Sequence, residues 1–147
     1  DVYPLPYLDS ALPMTDFLIL ALPLTQETEG LIGEEQLRLL PESAVLVNVA
    51  RGKIIDEAAL FRALHERSIF GAGLDVWFNY PGREEDRSQT APGNYDWHRL
   101  DNLVLSPHRA GLVRETEELR MRELAHLLNE AALGRTIPNR VDPELGY

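Results

Sequence analysis

The chain has no cysteine among its 147 residues. That excludes a disulfide framework, a thiolate metal site and a cysteine nucleophile, and it fits a reducing cytosol. Long apolar runs are also missing. The longest, Phe17 to Leu22, is far too short to cross a bilayer, where about 20 residues are needed. Positive charge is scarce: 14 Lys and Arg stand against 24 Asp and Glu, a formal net charge of -10, and the first basic residue is Arg38. A signal peptide needs a basic start, and a nucleic-acid surface needs clustered positive charge, so membrane and nucleic-acid partners are not expected. There is no initiating Met. Asp1-Val2-Tyr3-Pro4 reads like the interior of a longer protein, and a fragment or processed product is expected. No internal repeat or low-complexity segment appears.

What is present is ordinary globular composition, 44% hydrophobic and 26% charged, with length for about one domain core. Prolines at 4, 6 and 13 allow one helical turn between Tyr7 and Leu12. Asp16 to Leu22 reads as a strand buried on both faces and stopped by Pro23. The pattern predicts a helix over Thr28 to Leu40, a strand over Ala44 to Val49, and a helix capped by Asp56 that runs to about Arg67 with Ala59, Leu60, Ala63 and Leu64 on its buried stripe. A third strand is expected from Ile69 or Phe70 to Val76 and a fourth from Leu103 to Leu105. A long amphipathic helix follows from Glu115 to Leu133, ending near Gly134. Strands alternating with helices imply parallel pairing and a doubly wound, Rossmann-like α/β sheet.

Ligands in such sheets bind beyond the carboxyl ends of the strands. Three segments sit at such ends: Leu22-Pro23-Leu24-Thr25, Asn48-Val49-Ala50-Arg51-Gly52 and Ser106-Pro107-His108. They put an arginine and a histidine on one rim. Taken singly, Arg51 reads equally well as a surface ion-pair arginine, and His108 as a plain hydrogen-bonded histidine.

Five ordered pieces resemble the D-isomer-specific 2-hydroxyacid dehydrogenase family. They are Leu22-Pro23-Leu24-Thr25-Gln26-Glu27-Thr28, Gly30-Leu31-Ile32, Val47-Asn48-Val49-Ala50-Arg51-Gly52, Gly71-Ala72-Gly73-Leu74-Asp75-Val76 and Ser106-Pro107-His108-Arg109-Ala110-Gly111. Pro138-Asn139-Arg140-Val141-Asp142 is similar to the family's ending. The resemblance implies the second half of a dinucleotide-binding domain over residues 1–111. Residues 112–147 would then form a C-terminal helix and tail returning toward a substrate domain. It implies NAD or NADP as cofactor, a small 2-oxo or 2-hydroxy acid as substrate, a cytoplasmic homodimer when complete, and no metal. Glyoxylate/hydroxypyruvate reductase or phosphoglycerate dehydrogenase-like chemistry would follow. Arg51 would match the arginine that grips the substrate carboxylate and polarises its carbonyl, a task for a planar, permanently charged guanidinium. His108 would match the acid/base. Leu22, Pro23 and Thr28, with Val49 and Ala50 through their backbone, would line the cofactor, and Asp75 would bind the nicotinamide carboxamide. Pro23 and Thr28 also read as a strand-to-helix turn.

The chain departs from the family pattern twice. The Gly-rich turn after the first Rossmann strand and the residue choosing NAD over NADP would lie N-terminal to this chain, in a missing half. Gly71-Ala72-Gly73 lacks the third glycine and opens no helix, so it is no phosphate loop. The family's glutamate before a proline, partner of the catalytic histidine, is replaced in Trp77-Phe78-Asn79-Tyr80-Pro81 by Tyr80. A phenol orients an imidazole without the charge that stabilises imidazolium. Glu84 or Glu85 are possible substitutes, though solvated loop charge is the plainer reading. A non-catalytic NAD(P)-binding sensor or scaffold is therefore the alternative to an oxidoreductase, and a structural remnant that binds no cofactor is a third reading. The isolated chain is expected to be marginally stable, with its first strand left as an open edge.

Overall fold

Four short β-branched or glycine-containing runs pair side by side in the computed structural model, which describes residues 2–138 and 140–143. They are β1 (Phe17–Leu20), β2 (Val45–Asn48), β3 (Gly71–Leu74) and β4 (Leu103–Leu105). All neighbouring pairs are parallel, in the order β1-β2-β3-β4. The register aligns Leu18 with Leu46, Ala72 and Leu103, and Leu20 with Asn48, Leu74 and Leu105. Because side chains alternate across a strand, these residues share one face. That face meets the core: Leu20, Leu46, Asn48, Ala72 and Leu74 are buried. Phe17, Ile19 and Val104 lie on the other face, at 67%, 62% and 72% exposure.

The parallel, Rossmann-like α/β sheet expected from the sequence is present. Among the described residues the α-helices are α1 (Leu8–Ala11), α2 (Glu34–Leu39) and α3 (Glu57–His65), which alternate with the strands, and α4 (Arg114–Ala132), which follows β4 in the chain. α3 starts where the sequence placed it, with the Asp56 side chain accepting the Ala59 N–H at 2.8 Å. Its stripe of Ala59, Leu60, Ala63 and Leu64 is buried against α2 and the sheet. Arg67, at φ 57, turns the chain out of the helix two residues beyond His65. Leu12 anchors the N-terminal turns in the same core.

The helix expected over Thr28 to Leu40 is shorter than its apolar pattern suggested. Residues 26–30 form turns instead, and Gly30 sits at φ 68, a left-handed conformation that favours glycine. Ile32 pairs in parallel with Ile55, donating to the Ile54 carbonyl at 3.0 Å and accepting from the Asp56 N–H at 3.0 Å. A backbone tied on both sides to another segment cannot make helical bonds, so α2 waits until Glu34. Here the Gln36 side chain accepts the Gly33 N–H at 3.2 Å.

The chain forms two compact units, Asp1–His108, which carries the sheet, and Arg109–Tyr147, which carries α4. α4 spans the range expected of the long helix and has no buried residue along its length; Leu119, Leu124 and Leu128 are exposed. Asn139, within the Pro138 to Asp142 ending, lies outside the described residues. Among the described residues no helix is long and apolar enough to cross a membrane.

Candidate active site

Parallel strands end together, so the segments following β1, β2, β3 and β4 share one rim of the sheet. Leu22 and Pro23 follow β1. Val49, Ala50, Arg51 and Gly52 follow β2, Asp75 to Tyr80 follow β3, and Ser106, Pro107 and His108 follow β4. The structure therefore brings to one edge the residues singled out from the sequence, apart from Thr28, which stands in the adjoining turn.

The β2 segment is held from inside. Asn48 is 1% exposed; its Nδ2 donates to the Arg51 carbonyl at 2.9 Å and its Oδ1 accepts the Ala50 N–H at 3.0 Å. Sequence reasoning passed over Asn48 as a site residue. The signal was there: a polar side chain closing the apolar run Val45-Leu46-Val47 is retained only if its hydrogen bonds are made inside. Gly52 fixes the other side of this loop. A Cβ there would stand 2.2 Å from the Trp77 carbonyl oxygen, so the loops after β2 and β3 touch backbone to backbone.

Held this way, the Arg51 side chain is exposed and donates to the Ala50 carbonyl at 2.7 Å. Among the described residues no carboxylate pairs with it, unlike the nine arginines that form ion pairs. The surface ion-pair reading of Arg51 is thus not met. A guanidinium on the rim with no carboxylate partner has N–H donors with which an anion could be gripped.

His108 sits at φ 55, in the left-handed region that costs a non-glycine residue roughly 1–2 kcal/mol. Such strain persists only where surrounding structure imposes it. Its ring lies beside Tyr80, with Tyr80 Oη 3.1 Å from His108 Nδ1 and the ring centroids 5.7 Å apart. Tyr80 Oη also accepts the Trp77 N–H at 3.0 Å. Glu84 and Glu85 do not take the place beside the imidazole. They belong to an exposed turn, where Glu84 pairs with Arg87 at 3.2 Å and Glu85 with Arg83 at 3.6 Å.

The remaining rim residues are arranged as follows. Asp75 is buried, and Ser106 Oγ donates to its Oδ1 at 2.6 Å, linking the ends of β3 and β4. Leu22 is half-buried against the core, Pro23 and Val49 are exposed, and Ala50 is buried. Thr28 is used by its own turn: Oγ1 donates to the Pro23 carbonyl at 2.7 Å and accepts the Thr25 N–H at 2.8 Å. Its hydroxyl shapes the Leu22-Pro23 bend. A dinucleotide fits this donor set in part. Val49 and Pro23 offer an apolar shelf, with the polar Asp75–Ser106 pair at the same rim.

The model of the D-isomer specific 2-hydroxyacid dehydrogenase NAD binding domain matches residues 2–110. A glyoxylate reductase of Korarchaeum cryptofilum is 40% identical over 138 residues, covering 94% of this chain and 39% of its own length. A D-isomer specific 2-hydroxyacid dehydrogenase from Xanthobacter autotrophicus Py2, solved with NADPH and MES, superposes with a TM-score of 0.82 at 32% identity, covering 99% of this chain and 56% of that one. The NADPH-dependent glyoxylate/hydroxypyruvate reductase of Sinorhizobium meliloti, solved with NADP and sulfate, gives 0.80 at 26% identity, with 99% and 44% covered. This chain thus spans about two-fifths of the curated relative's length. With its parallel sheet and its Arg51 and His108 rim, the chain belongs to the D-isomer specific 2-hydroxyacid dehydrogenases and carries sequence of their NAD-binding domain.

Proposed function

We propose that the protein is an NAD(P)-dependent oxidoreductase that interconverts a 2-oxo acid and a D-2-hydroxy acid, with glyoxylate and hydroxypyruvate as the substrates to try first. The observation that carries this reading is the rim itself. An arginine without a carboxylate partner and a histidine held at φ 55 stand at the ends of strands in one sheet. The family and the glyoxylate reductase relatives support it.

Bound nicotinamide supplies the hydride. Arg51 holds the substrate carboxylate and draws electron density from the carbonyl, an interaction that strengthens as negative charge develops on oxygen. His108 gives a proton to that oxygen in reduction and takes it back in oxidation. Pro23, Leu22 and the backbone of Val49 and Ala50 would hold the cofactor, and Asp75 would accept from its carboxamide. Thr28 acts through the bend it ties. An N-terminal half completes the phosphate grip and chooses between NAD and NADP. Residues 1–111 serve the cofactor, residues 112–147 return to the substrate domain, and the complete enzyme is a cytoplasmic homodimer.

Tyr80 in place of a carboxylate favours one second reading, a cofactor-binding sensor or scaffold without catalysis. The two separate in one assay of the protein at full length. Oxidation of NADPH or NADH that depends on glyoxylate or hydroxypyruvate supports the enzyme, whereas micromolar cofactor binding without turnover of any small 2-oxo acid supports the sensor.

A further inference from the structure

Tyr80 Oη joins two hydrogen bonds, accepting the Trp77 N–H at 3.0 Å and lying 3.1 Å from His108 Nδ1. A phenol has one proton to give. The Trp77 N–H already occupies a lone pair of the oxygen, and among the described residues the proton has no acceptor other than Nδ1. A ring nitrogen that accepts carries no proton, so the single N–H of a neutral imidazole must then be on Nε2. Resting on the oxidoreductase reading for the role of His108, we infer that Tyr80 is a positioning residue: through the chain Trp77 N–H to Tyr80 Oη–H to His108 Nδ1, it holds neutral His108 in the Nε2–H form, a hydrogen-bond donor toward the carbonyl oxygen of an oxo acid. The proton that is transferred in reduction comes from the imidazolium, since a neutral ring that gave one up would be left as imidazolate.

A carboxylate in this position would do the opposite. It can only accept, so it fixes the proton on Nδ1 and leaves a lone pair on Nε2. That arrangement suits a base waiting for the hydroxyl proton of a hydroxy acid. The phenol reverses the ring's polarity without moving it. When the imidazole takes a second proton, Tyr80 Oη changes from donor to acceptor and keeps the same contact. The strained backbone of His108 and the Trp77 N–H keep the two rings within reach of each other. The acidic side chains that follow Tyr80 in sequence, Glu84 and Glu85, pair with Arg87 and Arg83 respectively.

The test is the imidazole ¹⁵N spectrum of the full-length protein, labelled at histidine and recorded at a pH where the ring is neutral. His108→Gln identifies the signals. Wild type should show Nε2 as the protonated nitrogen and Nδ1 as the unprotonated one. Tyr80→Glu should exchange the two, and Tyr80→Phe should give averaged shifts from mixed tautomers. A wild-type ring protonated on Nδ1 overturns the inference, and so does an Nε2–H ring that persists unchanged in Tyr80→Phe. The Phe variant settles the matter if the Glu variant does not fold. Because this readout involves no turnover, an Nε2–H ring in a protein that reduces no 2-oxo acid would sink the oxidoreductase proposal and leave intact only the tautomer that Tyr80 sets.

Discussion

The two faces of the sheet are built from the same kinds of residue and meet opposite fates. On one face Leu20, Leu46, Ala72 and Leu74 are buried together with Leu37 of α2 and Leu60 and Leu64 of α3. On the other, Phe17 and Ile19 in β1, Val45 and Val47 in β2, Gly71 and Gly73 in β3 and Val104 in β4 share the register, and the outermost of them are exposed. Consecutive right-handed crossovers that advance in one direction stack their helices on one side only. A sheet read in the order β1-β2-β3-β4 therefore receives from its own connections a cover for a single face. An apolar face of this kind, with β1 as an unpaired edge, is what a second winding of the chain would bury.

This contrast can be sharpened by substitution. The largest effect is expected on the covered side: Leu60→Ala removes a fully buried side chain and should cost about 2–5 kcal/mol in chemical denaturation. Gly71→Ala comes next, because its Cβ would stand 2.6 Å from the Asn102 carbonyl oxygen, and crowding of this sort costs roughly 1–3 kcal/mol. Asp56→Ala, which removes the cap of α3, should lower stability by about 1 kcal/mol. The smallest effect is expected on the open face. At Gly73 an added Cβ meets only the Val47 methyls, at 3.9 and 4.0 Å, so Gly73→Ala in the isolated chain should stay within about 0.5 kcal/mol. The same change in the full-length protein should cost more, since a cover packed on that face would feel it. Equal effects in both contexts would mean that the face is open in the whole protein too.

Much of this was legible beforehand. The β-branched runs, the Asp56 cap and the stripe of α3 are local patterns, and local patterns survive folding. The rim followed from topology once the strands were assigned. The shortened α2 did not follow, because the Ile32–Ile55 bridge is a contact between segments that no period within one segment encodes. Asn48 was hidden for a similar reason: its value lies in the Ala50 and Arg51 backbone groups it satisfies. The contact of Tyr80 with His108 was foreseen through a resemblance, yet the Trp77 N–H that orients the phenol is a backbone group, which no residue type announces.

At the centre of this account is the claim that Arg51 acts on substrate and transition state, not on the cofactor or the fold. The direct measurement is steady-state reduction of glyoxylate by the full-length protein and its Arg51→Ala variant, with cofactor affinity measured alongside. A fall in kcat/KM of about 10²- to 10³-fold or more, with cofactor affinity and Tm nearly unchanged, is the predicted result. Turnover at the wild-type level, or a matching loss of cofactor binding, would contradict it.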